Sequence, residues 1–150
     1  MASQSATPDG TSRIKRRFEE AGRLAVGHYR FFEGLYLTSL GIGTYLGNAD
    51  DQTDKLVESA ITRVVETGAV NVVDTAINYR LQRAERSVGR AISNLIGQGV
   101  VRRDEVFIST KNGYLTNDAD LDLDFWNYVQ RVLVKPGIIK PEDIVNQQHC

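Results

Sequence analysis

Two kinds of apolar spacing alternate through the middle of this 150-residue chain, and that alternation limits the fold more than any other feature. Leu56, Val57, Ala60, Ile61, Val64 and Val65 recur at three- and four-residue intervals, the spacing that lines one face of a helix. Asp50 and Asp51 precede this run as caps, and Asp54 adds negative charge to its first turn. Gly68 follows where a left-handed helix stop favours glycine. Residues 70–73 form a short apolar run, interrupted only by Asn71, that ends at Asp74. The pattern then repeats. Ala84, Val88, Ala91, Ile92, Leu95 and Ile96 give a second helical stripe over about 82–96, closed by Gly97 and Gly99. Residues 105–110 (EVFIST) read as a strand ending at Lys111. Ahead of both units, residues 29–37 (YRFFEGLYL) predict a small hairpin turning at Glu33-Gly34. Residues 37–42 then predict a strand running into Gly43-Thr44-Tyr45-Leu46-Gly47. Strands alternating with helices through short links predict a parallel sheet with right-handed crossovers.

The flanks are less regular. Residues 1–27 read as a polar, mobile lead-in, which puts the folded domain at 28–150. Residues 112–124 are polar and acidic, after which Phe125, Val129, Val132 and Leu133 predict a helix broken at Lys135-Pro136-Gly137. Pro141-Glu142-Asp143 reads as the first turn of another. Eighteen basic against nineteen acidic side chains leave a net charge of −1. That balance lacks the basic excess of a nucleic-acid or anionic-membrane binder. No apolar run approaches the roughly 20 residues of a membrane helix, and the first ten residues lack the apolar stretch of a secretory signal. The single cysteine, Cys150, allows no intramolecular disulfide. A cytoplasmic protein with no membrane or nucleic-acid partner is the expectation.

In a parallel sheet all strands point the same way, so Gly43-Thr44-Tyr45, Asp74 and Lys111 collect on one edge. Ligand chemistry gathers on that carboxyl edge in both barrels and open sheets. Lone ions directly after apolar strands are costly, so Asp74 and Lys111 are expected to neutralise each other in a partly buried pocket. Such a pair would equally serve as a salt bridge between neighbouring strands. Tyr79 lies five residues after Asp74, in a loop above the same edge. A lysine cation beside a phenol favours the phenolate and makes the tyrosine a better proton donor. Considered without its neighbours, Tyr79 is a surface loop residue.

Three segments together carry a family resemblance: Leu40-Gly41-Ile42-Gly43-Thr44-Tyr45-Leu46-Gly47; Asp74-Thr75-Ala76-Ile77-Asn78-Tyr79 with Glu85 behind it; and Ser109-Thr110-Lys111. In this order, over about residues 29–114, they resemble the opening motifs of the aldo-keto reductases. The resemblance implies a (β/α)8 TIM-barrel type of fold, of which this chain shows an N-terminal hairpin and three βα units. It implies an oxidoreductase that interconverts carbonyls and alcohols, with a small-molecule substrate and NADPH as cofactor, or NADH in some members. By the same resemblance Tyr79 is the general acid, Lys111 assists it, Asp74 holds the lysine, and Gly43, Thr44, Tyr45 and Asp74 lie against the cofactor. Hydride transfer belongs to the nicotinamide, and the protein orients it and supplies a proton. No metal is required.

Two departures accompany the resemblance. The family's fourth catalytic residue is a histidine ending the fourth strand, whereas His28 precedes the hairpin and His149 follows a polar, helix-like stretch. A complete barrel takes about 250 residues, and only three barrel strands are visible. The expectation is therefore an incomplete barrel, unstable and not competent alone because of its bare edge.

Other signals lead elsewhere. Gly41 to Gly47 is one residue too long for the dinucleotide fingerprint, and Asp74 stands beyond its usual spacing of about 20 residues. A Rossmann-type dinucleotide-binding domain is the runner-up fold, and a non-catalytic cofactor sensor on the same barrel the alternative function. Asp118, Asp120, Asp122 and Asp124 alternate like a calcium loop, but Leu123 and Val129 stand where the glycine and glutamate are needed. Trp126 and Phe125 read as packing residues, and Cys150 has no partner or base to make it a nucleophile.

Overall fold

A computed structural model describes residues 5–144, so His149 and Cys150 lie outside the described residues. The hairpin forms as the sequence predicts, from β1 (Tyr29–Phe32) and β2 (Leu35–Thr38), paired antiparallel with Phe32 opposite Leu35. Glu33 and Gly34 make its turn with φ of 45° and 87°. The stretch read as one strand over 37–42 is split. Thr38 ends the hairpin, and only β3 (Ile42–Gly43) joins the parallel sheet with β4 (Val72–Asp74) and β5 (Phe107–Ser109). The order is β3-β4-β5, both pairings are parallel, and Gly43, Asp74 and Ser109 form one row.

The two crossover helices form where their sequence signals put them, although Leu56, Ala60 and Ile96 of the two apolar stripes are exposed. In α2 (Asp51–Glu66) the Asp50 carboxylate accepts a hydrogen bond from the Thr53 amide at 2.7 Å. In α3 (Arg83–Gly97) the stripe Ala84, Val88, Ala91, Ile92 and Leu95 is buried. Val88, Ala91, Ile92 and Leu95 pack with Ile61 and Val65 of α2, with Val73 of β4 and with Val106, just ahead of β5, as one core. Gly68 takes φ +73°, as the helix stop requires.

The lead-in reading of residues 1–27 is corrected over α1 (Pro8–Glu20), which forms a helix. Thr7 caps it by accepting from the Gly10 amide at 3.0 Å, and proline occupies its first turn at no cost in hydrogen bonds. Its apolar residues are few, but Ile14 (fully buried) and Phe18 join the core, Phe18 lying where a side chain on Gly68 would meet it. Arg13 bridges Asp104 at 2.7 Å and the buried Glu105 at 2.8 Å, in a 3-10 turn (Arg103–Glu105) just ahead of β5. The hairpin is tied to the sheet in the same way. Asn71, fully buried just before β4, accepts from the Thr38 amide at 2.8 Å and donates to the Tyr36 carbonyl at 2.9 Å.

Beyond β5 a loop leads to α4 (Phe125–Tyr128), which runs straight into a π-helical turn (Val129–Val134) around the buried Val129. The predicted helix over 125–133 is thus present but wound more widely. Pro141–Asp143 is a single 3-10 turn. Among the described residues the sheet has three strands and does not close into a barrel, and β3 and β5 each keep one unpaired edge.

Candidate active site

The carboxyl ends of the three strands bring the predicted residues together. Asp74 is the last residue of β4, and Lys111 follows β5 by two positions. Lys111 Nζ donates to both Asp74 carboxylate oxygens at 2.6 Å and to the Thr75 carbonyl at 3.0 Å. The backbone beyond the strands stays in register, with the Thr75 amide donating to Ser109 O at 2.8 Å and the Ile77 amide to Lys111 O at 3.2 Å. These bonds prolong the parallel pairing into the rim and fix the direction from which the lysine approaches.

The Asp74 carboxylate holds the Lys111 ammonium above the usual lysine range, against a lowering by desolvation, and Tyr79 adds to the rise. The side chains of the pair are 49% and 43% exposed, so the rim is more open than the partly buried pocket expected for it. A strand-to-strand salt bridge in that setting is a weak stabilising device, because solvent and salt screen it.

Tyr79 is half-buried on the same rim. Its ring centroid lies 4.9 Å from Lys111 Nζ and 5.0 Å from the ring of Tyr45, the latter in an edge-on arrangement. The tyrosine is set by its backbone, whose amide donates to Ala76 O at 3.1 Å and whose carbonyl accepts from Ala84 at the start of α3 at 3.3 Å. Behind Lys111, the Thr110 hydroxyl donates to Glu85 of α3, which gives that glutamate a contact one residue from the lysine.

The segment after β3 divides between two tasks. Gly43 is exposed, and a Cβ built on it would meet nothing within 4 Å, so bare backbone is open to a ligand there. Tyr45 is exposed beside it. Thr44 is buried, and both its amide and its hydroxyl donate to the Asp74 carbonyl, at 3.1 and 3.0 Å. It therefore fastens β3 to β4 instead of presenting a group at the rim. Thr75 Oγ1, buried directly behind Asp74, has no hydrogen-bond partner among the described residues.

His28 is remote from this edge, bonded to Ala69 O at 2.9 Å and to Ser39 at 3.1 Å. Of the alternating aspartates, Asp118 and Asp120 both pair with Arg86, and Asp124 caps α4 by accepting from the Asn127 amide. No group of three metal-ligating side chains occurs among the described residues, and no described helix is long and apolar enough to cross a membrane. Strand β3 ends eight positions before α2, whose first turn is capped by its own Asp50. That arrangement lacks the direct glycine-turn-to-helix geometry of a Rossmann dinucleotide site.

One residue next to this rim, Arg80, escapes the sequence reading, and Asp54 takes a role beyond the one read for it. Arg80 is buried with its guanidinium on Asp54 at 2.5 Å, and Asp54 acts as an anchor more than as a charge for the helix end. A basic residue directly after the candidate acid was the available signal, but arginine is ordinarily exposed and its burial cannot be read from position alone.

The fold and rim define an α/β protein with a lysine–carboxylate pair beside a tyrosine at the carboxyl edge of a parallel sheet. Residues 39–137 match the aldo/keto reductase family, and the chain belongs to it. It is thereby an oxidoreductase of the aldo-keto reductase type, a family acting on small-molecule carbonyl substrates with NAD(P)H.

Proposed function

We propose that this rim is the proton-donating part of an NAD(P)H-dependent carbonyl reductase, with Tyr79 as general acid and NADPH as the principal cofactor. The observation that carries the reading is the placement of one ammonium between two groups: Lys111 sits 2.6 Å from both oxygens of Asp74 and 4.9 Å from the ring of Tyr79. A bound nicotinamide supplies the hydride. The residues of this chain do the rest. Tyr79 Oη gives its proton to the oxygen of the reduced carbonyl, Lys111 stabilises the phenolate left behind, and Asp74 keeps the ammonium in place. The open backbone at Gly43 and the exposed ring of Tyr45 are the groups that would hold the cofactor at this rim. Thr44, turned into the sheet, holds that segment in position. A soluble cytoplasmic setting is part of the same reading.

Three strands form only one wall of a barrel, and we propose that further parallel strands along the free edges of β3 and β5 complete the (β/α)8 enclosure of the domain read at 28–150. The test is Tyr79→Phe in the complete gene product, with carbonyl-dependent NADPH oxidation and NADPH binding measured together. Turnover should fall roughly 10²–10⁴-fold, the usual contribution of a positioned acid, while cofactor binding stays. Retained turnover sinks the reading. Binding without turnover in either protein is instead the signature of a cofactor sensor on the same fold.

A further inference from the structure

Directly after Tyr79 the backbone enters an unfavourable conformation. Arg80, Leu81 and Gln82 have φ of 49°, 53° and 73°, three successive non-glycine residues in the left-handed region. Single residues visit that region, but runs of them are uncommon because each Cβ crowds the following carbonyl. Such a turn persists only where its surroundings over-determine it.

Backbone amides of Arg83 and Ala119 donate to the Arg80 and Leu81 carbonyls at 3.2 and 3.1 Å, and the side chains that hold the turn form an ion-pair cluster with a buried centre. The Arg80 side chain is 1% exposed, and the Asp54 side chain on α2 is 6% exposed. Arg80 Nη1 donates to Asp54 Oδ1 at 2.5 Å, and Nη2 donates to Ser87 Oγ at 3.1 Å. Asp54 Oδ2 accepts from Arg83 Nε and from Arg90 Nη2, both at 3.0 Å. One carboxylate therefore grips Arg80 at the start of the left-handed turn and Arg83 immediately after it. Burial alone would raise the pKa of Asp54, and the hydrogen bonds from Arg80 and Arg83 reverse that and hold it below the ordinary carboxylate range.

A buried pair of this kind contributes little more to stability than apolar residues of the same volume, and its best-attested use is to fix one arrangement among several. The arrangement fixed here is the exit from Tyr79. We infer that Asp54 and Arg80 are positioning residues, whose buried pair clamps the left-handed turn at 80–82 and thereby sets the Tyr79 ring against Lys111 and Tyr45. The functional meaning of the clamp rests on Tyr79 being the proton donor; the clamp itself does not.

The test is made by nuclear magnetic resonance on the whole chain with labelled tyrosine and lysine and with labelled isoleucine and leucine methyl groups. The wild type should give cross-relaxation from the Tyr79 ring to the Tyr45 ring and to the Lys111 ε-methylene. In Asp54→Asn these signals should weaken at least threefold, while the Ile92 and Leu95 methyl shifts in the core stay in place. Adding Gln82→Gly, which makes a left-handed residue inexpensive, should restore at least half of the lost signal. If Asp54→Asn does not fold, the apolar pair Asp54→Leu with Arg80→Met takes its place, with the same loss expected. Tyr79 contacts that persist in a folded variant lacking the pair overturn the inference, and so does a loss that Gln82→Gly does not relieve. Turnover retained by Tyr79→Phe sinks the proton-donor reading and leaves the clamp standing.

Discussion

Substituting alanine for Gly68 tests the placement of the amino-terminal helix. Gly68 has φ +73°, and a Cβ built on it would lie 2.3–2.6 Å from three atoms of the Phe18 ring. Two costs follow, and they separate. The left-handed backbone costs an alanine about 1–2 kcal/mol, and forcing a methyl into a packed aromatic ring costs about 1–3 kcal/mol. Gly68→Ala should therefore destabilise by about 2–5 kcal/mol, a drop in the urea midpoint of about 1–2.5 M for a slope of about 2 kcal/mol/M. The decisive measurement is the cycle with Phe18→Ala. With the ring gone only the backbone part should remain, so the two substitutions should be coupled by about 1–3 kcal/mol. Equal cost of Gly68→Ala with and without the Phe18 ring would refute the packing of α1 against the end of α2, and with it the correction made to residues 8–20.

Further outcomes follow from other contacts. Asn71→Leu orphans the buried Thr38 amide and Tyr36 carbonyl, and should cost about 2–4 kcal/mol in a urea melt while leaving the Asp74–Lys111 contact intact. Lys111→Met and Asp74→Asn should each lower turnover by roughly two orders of magnitude with little change in melting temperature, since the pair is half-exposed; a large fall in melting temperature would make it a structural bridge instead. Asp54 has a folded pKa below its unfolded value of about 3.9. Its contribution is therefore complete above that value and is lost as pH falls through the folded one. Urea midpoints between about pH 5 and 2 should decline less steeply in a folded Asp54→Leu with Arg80→Met variant than in the wild type.

The parts of the fold that could be read in the sequence are those where many residues say the same thing. In α2 the Asp50 cap, the six-residue stripe and Gly68 agree, and the helix runs Asp51–Glu66. The Asp74 and Lys111 contact was legible because strand polarity alone brings the two ends to one edge. Where one or two residues carry the signal, it fails. Helix α1 rests on Ile14 and Phe18 among basic neighbours, so its apolar face is narrow, although Thr7-Pro8 is a sound start signal. The π-helical turn at Val129–Val134 keeps an apolar spacing close to that of an α-helix and differs only in winding. The clamp at Arg80 was invisible because nothing local distinguishes a buried arginine from a solvated one. Only the fold brings Asp54 within reach, across 26 positions of chain.

The anchors of the hairpin and of α1, Asn71 and Glu105, stand just before β4 and β5, whereas Asp74 and Lys111 stand at and just beyond the far ends of the same strands. Strands of three residues thus separate two kinds of tolerance to change. Random substitution near residues 71 and 105 should show up as lost soluble yield, and near 74, 79 and 111 as lost turnover in protein that still accumulates. Selecting first for expression and then for activity would sort variants by which end of a strand, about 10 Å long, they touch.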